Sequence, residues 1–344
     1  MALINVAGWP KPIEAGRQRI LEAALDAGVP YPHGCGSGEC GSCKSRLIDG
    51  EVSCDRYSPE ALSAKERADG LILACRSRPL TDVTVRWLST EAVLPMVKLD
   101  TKVERIERVS RDVVLLTLGR RDGQRFDFHA GQFAKLRFGK LPARSYSMAS
   151  QPGQWPLVFH IRILPDGLVS GPVGRDLRVG DPVEVRGPFG DAYWAGVRSP
   201  RLMLLAGGTG MAPILSVLDA ALLGGQPTKG IHVYHGVRTE EDLYLKDVLQ
   251  QRAVEHNIRF MPVIADGTGT SSRNGHLHEA LARDVSDFAD TCIHVAGPPQ
   301  MVDAVTDLAV NRGASPERIR ADAFYPAEPE KRSLWERVSA WGSV

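Results

Sequence analysis

Three cysteines crowd one glycine-rich stretch, Pro32-His33-Gly34-Cys35-Gly36-Ser37-Gly38-Glu39-Cys40-Gly41-Ser42-Cys43, and a fourth, Cys75, follows the apolar run Leu71-Ile72-Leu73-Ala74. This C-x4-C-x2-C…C spacing sets three thiolates on one loop and brings the fourth from a distant segment, the ligand pattern of a plant-type [2Fe–2S] cluster. Cys35, Cys40, Cys43 and Cys75 are the expected ligands. The glycines at 34, 36, 38 and 41 suit a loop wrapped so closely that its amides reach the sulfurs, where such donors favour the reduced cluster.

Other uses of these cysteines fit less well. Structural zinc draws on two close Cys/His pairs, whereas here one C-x-x-C has two unpaired partners. A disulfide framework suits a short secreted chain, not 344 residues with six cysteines. Cys54 is an alternative ligand, but it stands on a polar stretch without the apolar approach that buries Cys75. Cys292, inside the apolar run from Thr291 to Ala296, reads as a small buried hydrophobe.

A chain of this length exceeds one compact core and implies two or three domains. The formal charge of +1 and pI near 7.7 give no electrostatic case for nucleic-acid binding. The apolar runs are too short to span a bilayer, so no membrane association is expected. Met1 to Val6 has neither the charged start nor the apolar core of a secretion signal and reads as an edge strand, which points to the reducing cytoplasm.

Residues 1–91 form the first expected domain. After the opening strand, Arg19 to Ala27 puts Ile20, Leu21, Ala24 and Leu25 on one helical face, and Gly28 and Pro30 stop the helix. The cysteine loop, short strands around Leu47 and Val52, and a strand Val83 to Trp87 complete a unit that resembles the β-grasp ferredoxins. Its 11 Lys/Arg against 12 Asp/Glu is far from a strongly acidic surface and fits a tethered electron carrier. A linker at 92–98 follows. Residues 98–197 carry short alternating strands, such as Val113 to Leu118 and Leu157 to Ile163, with Gly187-Pro188-Phe189-Gly190 as a closing turn, and imply an antiparallel β-barrel. From 198 to 328 the rhythm becomes strand, glycine turn, helix, with strands at Leu202–Ala206, Ile231–His235, Arg259–Ile264 and Ile293–Ala296. That is the pattern of a parallel α/β sheet. The expected class is therefore multidomain, α+β then β then α/β, with a tail at 329–344. Leu334, Trp335, Val338 and Trp341 stand at helical spacing in that tail, as a short packed helix or a docking face.

Two sets of residues beyond the cysteines carry chemistry. In Arg144-Ser145-Tyr146-Ser147, the arginine offers a fork for phosphate, the tyrosine a flat ring to stack on an aromatic cofactor, and Ser147 a small hydroxyl beside it. Arginine and tyrosine on a strand are more often plain surface residues, so the motif depends on its context. His160-Ile161-Arg162 then leads to Gly167-Leu168-Val169-Ser170, whose amides and hydroxyl suit a pyrophosphate. The second set starts with Ala206-Gly207-Gly208-Thr209-Gly210-Met211-Ala212-Pro213, a glycine turn between a strand and a helix Ile214 to Leu223. There the backbone can approach a pyrophosphate at the helix N-terminus, and Pro213 suits the first helical turn. Tyr234-His235-Gly236-Val237-Arg238 and Ala296-Gly297-Pro298-Pro299-Gln300-Met301 follow later strands. All three turns fall at strand C-terminal ends, where open α/β sheets bind ligands.

With the cysteine loop, Arg-x-Tyr-Ser and Gly-Gly-Thr-Gly-x-Ala-Pro in this order, residues 1 to 328 resemble the flavin- and iron–sulfur-containing reductase components of bacterial oxygenases. These belong to the ferredoxin–NADP reductase superfamily, and the likeness is strongest to the naphthalene dioxygenase type. The ending Ala321-Asp322-Ala323-Phe324-Tyr325-Pro326 supports that subgroup. The resemblance implies that Arg144, Tyr146 and Ser147 hold FAD, with Ser147 near the flavin N5 and Phe324 beside the ring, so that Ser147, Tyr146 and Phe324 form the catalytic set. His160, Arg162, Gly167, Val169 and Ser170 would complete the FAD site. Gly207, Gly208, Thr209, Gly210, Pro213, Gly236, Arg238, Gly297, Pro298, Pro299 and Met301 would bind the nicotinamide dinucleotide. Many members carry cysteine where this chain has Ala296, which removes any thiol-assisted role without touching the cofactor chemistry.

The implied activity is an NAD(P)H-dependent reductase: hydride passes from NADH to FAD, then single electrons pass through the cluster to a separate ferredoxin or a terminal Rieske oxygenase. No general acid or base is required. Arg238 would admit the 2′-phosphate of NADPH, but Glu240, Glu241 and Asp242 beside it favour NADH. A monomer is expected. The competing readings are the reductase of a diiron phenol or alkane hydroxylase, built from the same modules, and a flavin-binding redox sensor.

Overall fold

Strand pairing explains why cysteines 32 residues apart in sequence meet. In the computed structural model, which describes residues 2–325 except 34, 35, 37, 39, 40, 60, 89–93, 122, 124, 197, 198, 225, 226 and 268–272, Cys43 directly precedes the strand Lys44–Asp49. That strand pairs antiparallel with Leu71–Leu73, Lys44 opposite Leu73, so Cys43 and Cys75 emerge at the same end. The five-stranded sheet runs in the order Ile13–Glu14, Leu3–Val6, Val83–Trp87, Lys44–Asp49, Leu71–Leu73. The opening strand is therefore internal, not at the edge: the two-residue strand Ile13–Glu14 covers its outer side. The helix Ile20–Asp26 lies on this sheet with Ile20, Leu21, Ala23, Ala24 and Leu25 buried, and stops at Ala27 and Gly28.

Alternation builds the second unit. Its six antiparallel strands run Arg144–Ser147, Phe133–Phe138, Pro182–Phe189, Val97–Arg108, Val113–Arg120, Leu157–Arg162, and a bridge between Met148 and Phe159 closes the ends into a barrel. Leu99, Leu116, Leu136, Phe159, Ile161 and Val185 fill it, each within 1% of complete burial, and each contributes about 1.5 to 3 kcal/mol. The first of these strands in sequence begins at Val97, inside the stretch read as linker. Gly187 and Pro188 continue a strand, and the turn comes only at Gly190.

The third unit is a parallel sheet in the order Arg273–Asn274, Arg259–Ile264, Ile231–Val237, Arg201–Gly207, Thr291–Gly297, Ile319–Ala323. Its central strands are apolar on both faces because helices cover both. Leu202, Leu204 and Ala206 pack with the helix Met211–Leu223 and with Leu249 of Lys246–Glu255. Met203 and Leu205 pack with Leu277–Asp284 and Pro299–Asn311. The strand order reverses between Arg201–Gly207 and Thr291–Gly297, which opens a crevice at their C-terminal ends. No helix among the described residues is long and apolar enough to cross a membrane. Pro326 and the 331–344 stretch lie outside the described residues.

Candidate functional site

Cys43 and Cys75 are both buried, and the backbone N–H of Cys75 donates to the Cys43 Sγ at 3.4 Å. An amide aimed at a cysteine sulfur stabilises the thiolate that an iron–sulfur cluster requires. Gly38 has φ +85°, and a Cβ there would stand 2.7 Å from the Arg76 side chain, so the loop accepts only glycine at this point. Cys35 and Cys40 lie outside the described residues. Cys54 sits apart from this arrangement on the short ladder Val52–Cys54 with Ser77–Pro79, its Sγ 3.5 Å from the Ser77 hydroxyl. Cys292 is buried, and burial pushes its thiol above the usual range.

A cavity of about 230 Å³ lies where the barrel meets the parallel sheet. Phe133, Ser145, Tyr146, Ser147, His160 and Arg162 line it from the barrel, Thr209 and Ala212 from the glycine turn, and Asp322 to Tyr325 from the end of the last strand. Register sets the barrel wall: Phe133 pairs with Ser147 and Ala134 with Tyr146. Burial pushes the Tyr146 phenol up to about 12, against the pull of Arg144, so the ring is neutral. Burial lowers His160 to about 3, so it too is neutral. Arg162 Nε is held by Asp112 at 2.8 Å. The Ser147 hydroxyl donates to Asp322 Oδ2 at 3.4 Å. Burial, reinforced by the neighbouring Asp191 carboxylate and opposed by Ser147, pushes Asp322 up to about 7. A concave pocket with a flat neutral ring, a hydroxyl and an arginine on its walls fits a flavin.

Not every expected flavin residue borders this cavity. Arg144 stands next to it on the same strand, with Nη1 on its neighbour's carbonyl, Ala143 O, at 3.0 Å. Gly167, Val169 and Ser170 lie at the start of the helix Ser170–Asp176. There the Ser170 Oγ accepts from the Leu164 N–H at 3.1 Å, which leaves the hydroxyl hydrogen free to be donated.

The glycine turn is built by close packing. A Cβ on Gly207 would lie 2.6 Å from Met301 Sδ and 2.7 Å from Pro298 Cδ, one on Gly210 would strike the Ala296 carbonyl, and one on Gly297 would lie 2.9 Å from Gly207 Cα. Gly208 differs: its φ is +52° and a Cβ would meet nothing within 4 Å. The turn is tight below and open above, as a backbone cradle for a phosphate must be. The helix after it starts at Met211, three residues before the expected Ile214, because the 3-10 turn Gly208–Gly210 runs straight into it; Pro213 still falls in the first turn. Gly236 pairs with Gly207 near the end of the neighbouring strand Ile231–Val237, Arg238 pairs with Asp266 at 2.9 Å on the surface, and Pro299 opens the helix Pro299–Asn311.

Sequence reasoning missed Phe133, Asp191 and Asp322 as parts of the site. Asp322 stands two residues before Phe324, the same-face spacing of a strand, and that signal was available. Phe133 lines the cavity on one side and packs into the core of the cysteine-loop unit on the other, together with Phe189 and His33. From that unit Ser42 Oγ donates to Asp191 Oδ1 at 3.0 Å, and Arg186 Nη2 reaches Asp26 at 2.9 Å.

Comparison with known proteins agrees with this geometry. Residues 4–80 match the 2Fe-2S iron-sulfur cluster binding domain, 100–194 the oxidoreductase FAD-binding domain and 204–307 the oxidoreductase NAD-binding domain. The chain is 34% identical to the reductase subunit of an aromatic O-demethylase from an Amycolatopsis species, covering 94% of this chain and 98% of that one. It is 33% identical to the ferredoxin–NAD(P)+ reductase component of the naphthalene 1,2-dioxygenase system of Pseudomonas putida, covering 92% and 95%. The crystal structure of a cytochrome P450 reductase from Amycolatopsis superposes with a TM-score of 0.81 at 34% identity, covering 95% of this chain and all of that one. With full-length relatives at this identity and all three domains matched in order, the chain belongs to the family of FAD- and [2Fe–2S]-containing NAD(P)H reductase components of oxygenase systems.

Proposed function

We propose that the chain takes hydride from NADH onto FAD and passes single electrons through its [2Fe–2S] cluster to a separate ferredoxin or directly to a terminal Rieske aromatic-ring-hydroxylating oxygenase. The observation that carries this is the shared cavity: one wall comes from the barrel, one from the glycine turn, and its Phe133 wall continues into the cysteine-loop unit. Bound flavin supplies the conversion of a hydride into two single electrons, and the cluster supplies their exit.

The chain's own work is positioning. Tyr146 stacks its neutral ring on the flavin while the Arg144 fork and Arg162 meet its phosphates. Ser147 holds its hydroxyl at the reacting edge with the proton turned to Asp322, and Phe324 shields that edge from water. His160, Gly167, Val169 and Ser170 complete the flavin contacts. Gly207 to Gly210, Pro213, Gly236 and Gly297 to Pro299, backed by Met301, hold the dinucleotide. Cys35, Cys40, Cys43 and Cys75 hold the cluster. Asp266 already occupies Arg238, and Glu240, Glu241 and Asp242 lie close by in sequence, so a 2′-phosphate gains little there and NADH is the coenzyme. We assign the units to 1–91, 98–197 and 198–328, in a monomer acting in a reducing cytoplasm.

The purified protein is expected to show flavin and [2Fe–2S] spectra at one each per chain and to reduce ferricyanide rapidly with NADH. Loss of either chromophore in correctly folded protein, or a higher kcat/KM for NADPH, overturns the corresponding part. Electron delivery to a purified Rieske dioxygenase and not to a diiron hydroxylase tests the acceptor.

A further inference from the structure

A turn that grips a phosphate must aim its amide N–H groups outward and turn its carbonyls away, since a carbonyl facing an anion repels it. In a planar trans peptide the carbonyl of one residue and the N–H of the next point in opposite directions. Where the Gly208 carbonyl goes therefore decides where the Thr209 amide goes. A glycine with φ near +52° and open space around it has no side chain to fix either peptide plane.

The carbonyl accepts the Met211 backbone N–H of the 3-10 turn and is caught besides by two buried side-chain donors. His235 Nε2 lies 3.1 Å from Gly208 O and the Tyr244 hydroxyl 3.3 Å from it. A carbonyl can only accept, so His235 carries its hydrogen on Nε2 and the Tyr244 hydroxyl points its own at Gly208. His160 Nδ1, 3.0 Å from the Tyr244 oxygen, is then the donor to it. His235 is fully buried, and Tyr244 and His160 are 3% and 6% exposed. Both histidine rings meet the tyrosine edge-on with centroids 5.4 Å away, so the three rings brace one another. Burial holds His235 near about 4 and His160 near about 3, so neither brings a positive charge that could itself attract a phosphate.

We propose that Tyr244 and His235 are positioning residues that clamp the Gly208 carbonyl inward and so present the Thr209 amide to the dinucleotide pyrophosphate, with His160 tying the clamp to the flavin cavity. This rests on the assignment of the glycine turn as the dinucleotide site. Neither Tyr244 nor His235 lines the flavin cavity, so their loss is expected to act on dinucleotide binding and to leave the hydride step alone.

The test uses flavin- and cluster-loaded protein, with ADP-ribose as a competitive inhibitor and NADH as substrate for ferricyanide reduction. Tyr244→Phe keeps the ring and removes the donor; it is expected to raise the ADP-ribose inhibition constant and the NADH KM together by about three- to tenfold, with kcat within about twofold. His235→Leu is expected to do the same, and His235→Gln, which can still offer an N–H at that reach, to restore most of the loss. Gly208→Asp probes the underlying assignment, because aspartate tolerates this backbone conformation and places a carboxylate in the turn. If Gly208→Asp weakens ADP-ribose binding while Tyr244→Phe and His235→Leu do not, the clamp is refuted and the site stands. If Gly208→Asp leaves ADP-ribose binding unchanged, the site assignment falls and the clamp with it. A drop in kcat with unchanged ADP-ribose inhibition also refutes the clamp.

Discussion

Replacing Asp322 with asparagine is expected to stabilise the protein in alkaline but not in acidic solution. Burial, reinforced by the nearby Asp191 carboxylate, moves the ionisation of Asp322 from 3.8 up to about 7, against the opposing hydrogen bond donated by Ser147. Below about pH 4 the folded and unfolded chains both keep the proton, and the residue costs nothing. Between about 4 and 7 the unfolded chain releases a proton that the folded chain retains, so stability falls as pH rises, by about 1.4 kcal/mol per unit. Above about pH 7 the folded chain has ionised too, and the loss is complete. The full interval corresponds to about 4 kcal/mol; discounting for partial exposure leaves about 2 to 3 kcal/mol. Asparagine keeps an acceptor for Ser147 and cannot ionise. Urea unfolding of wild type and Asp322→Asn from about pH 5 to about pH 8 should therefore give stabilities that diverge up to about pH 7, the variant gaining, and then keep a constant gap. Parallel curves, or a wild type that gains on the variant as pH rises, would refute the reasoning.

Three further perturbations test the frame around the site. Phe133→Ala removes a ring only 7% exposed and is expected to cost about 3 to 5 kcal/mol by thermal unfolding, while slowing cluster reduction more than flavin reduction in stopped-flow traces. Gly210→Ala forces a methyl group against the Ala296 carbonyl and should lower stability by about 1 to 3 kcal/mol with loss of NADH-driven flavin bleaching. Asp266→Asn frees Arg238 and should raise the NADPH-to-NADH ratio of kcat/KM about tenfold, with no change in melting temperature because an exposed ion pair contributes about 0 to 1 kcal/mol.

Local chemistry made much of this molecule readable before folding. The cysteine spacing, the apolar runs of the parallel sheet and the glycine turn each declare themselves within a dozen residues. What escaped was long-range. Ser147 and Asp322 are 175 residues apart, Ser42 and Asp191 149, and His160 and Tyr244 84, and no periodicity links them. The opening strand read as an edge because its cover, Ile13–Glu14, is only two residues long and has no alternation to detect. The helix expected from Ile214 begins at Met211 because glycines hide the 3-10 turn that feeds it.

Phe133 belongs by sequence to the barrel and by packing to the core of the cysteine-loop unit. A recombinant that exchanges the iron–sulfur module at the linker would therefore import a partner shaped for a different ring. Such a chimera has to carry Phe133, Phe189 and Asp191 with the incoming module, since the physical seam between the modules runs inside the barrel and not along the linker.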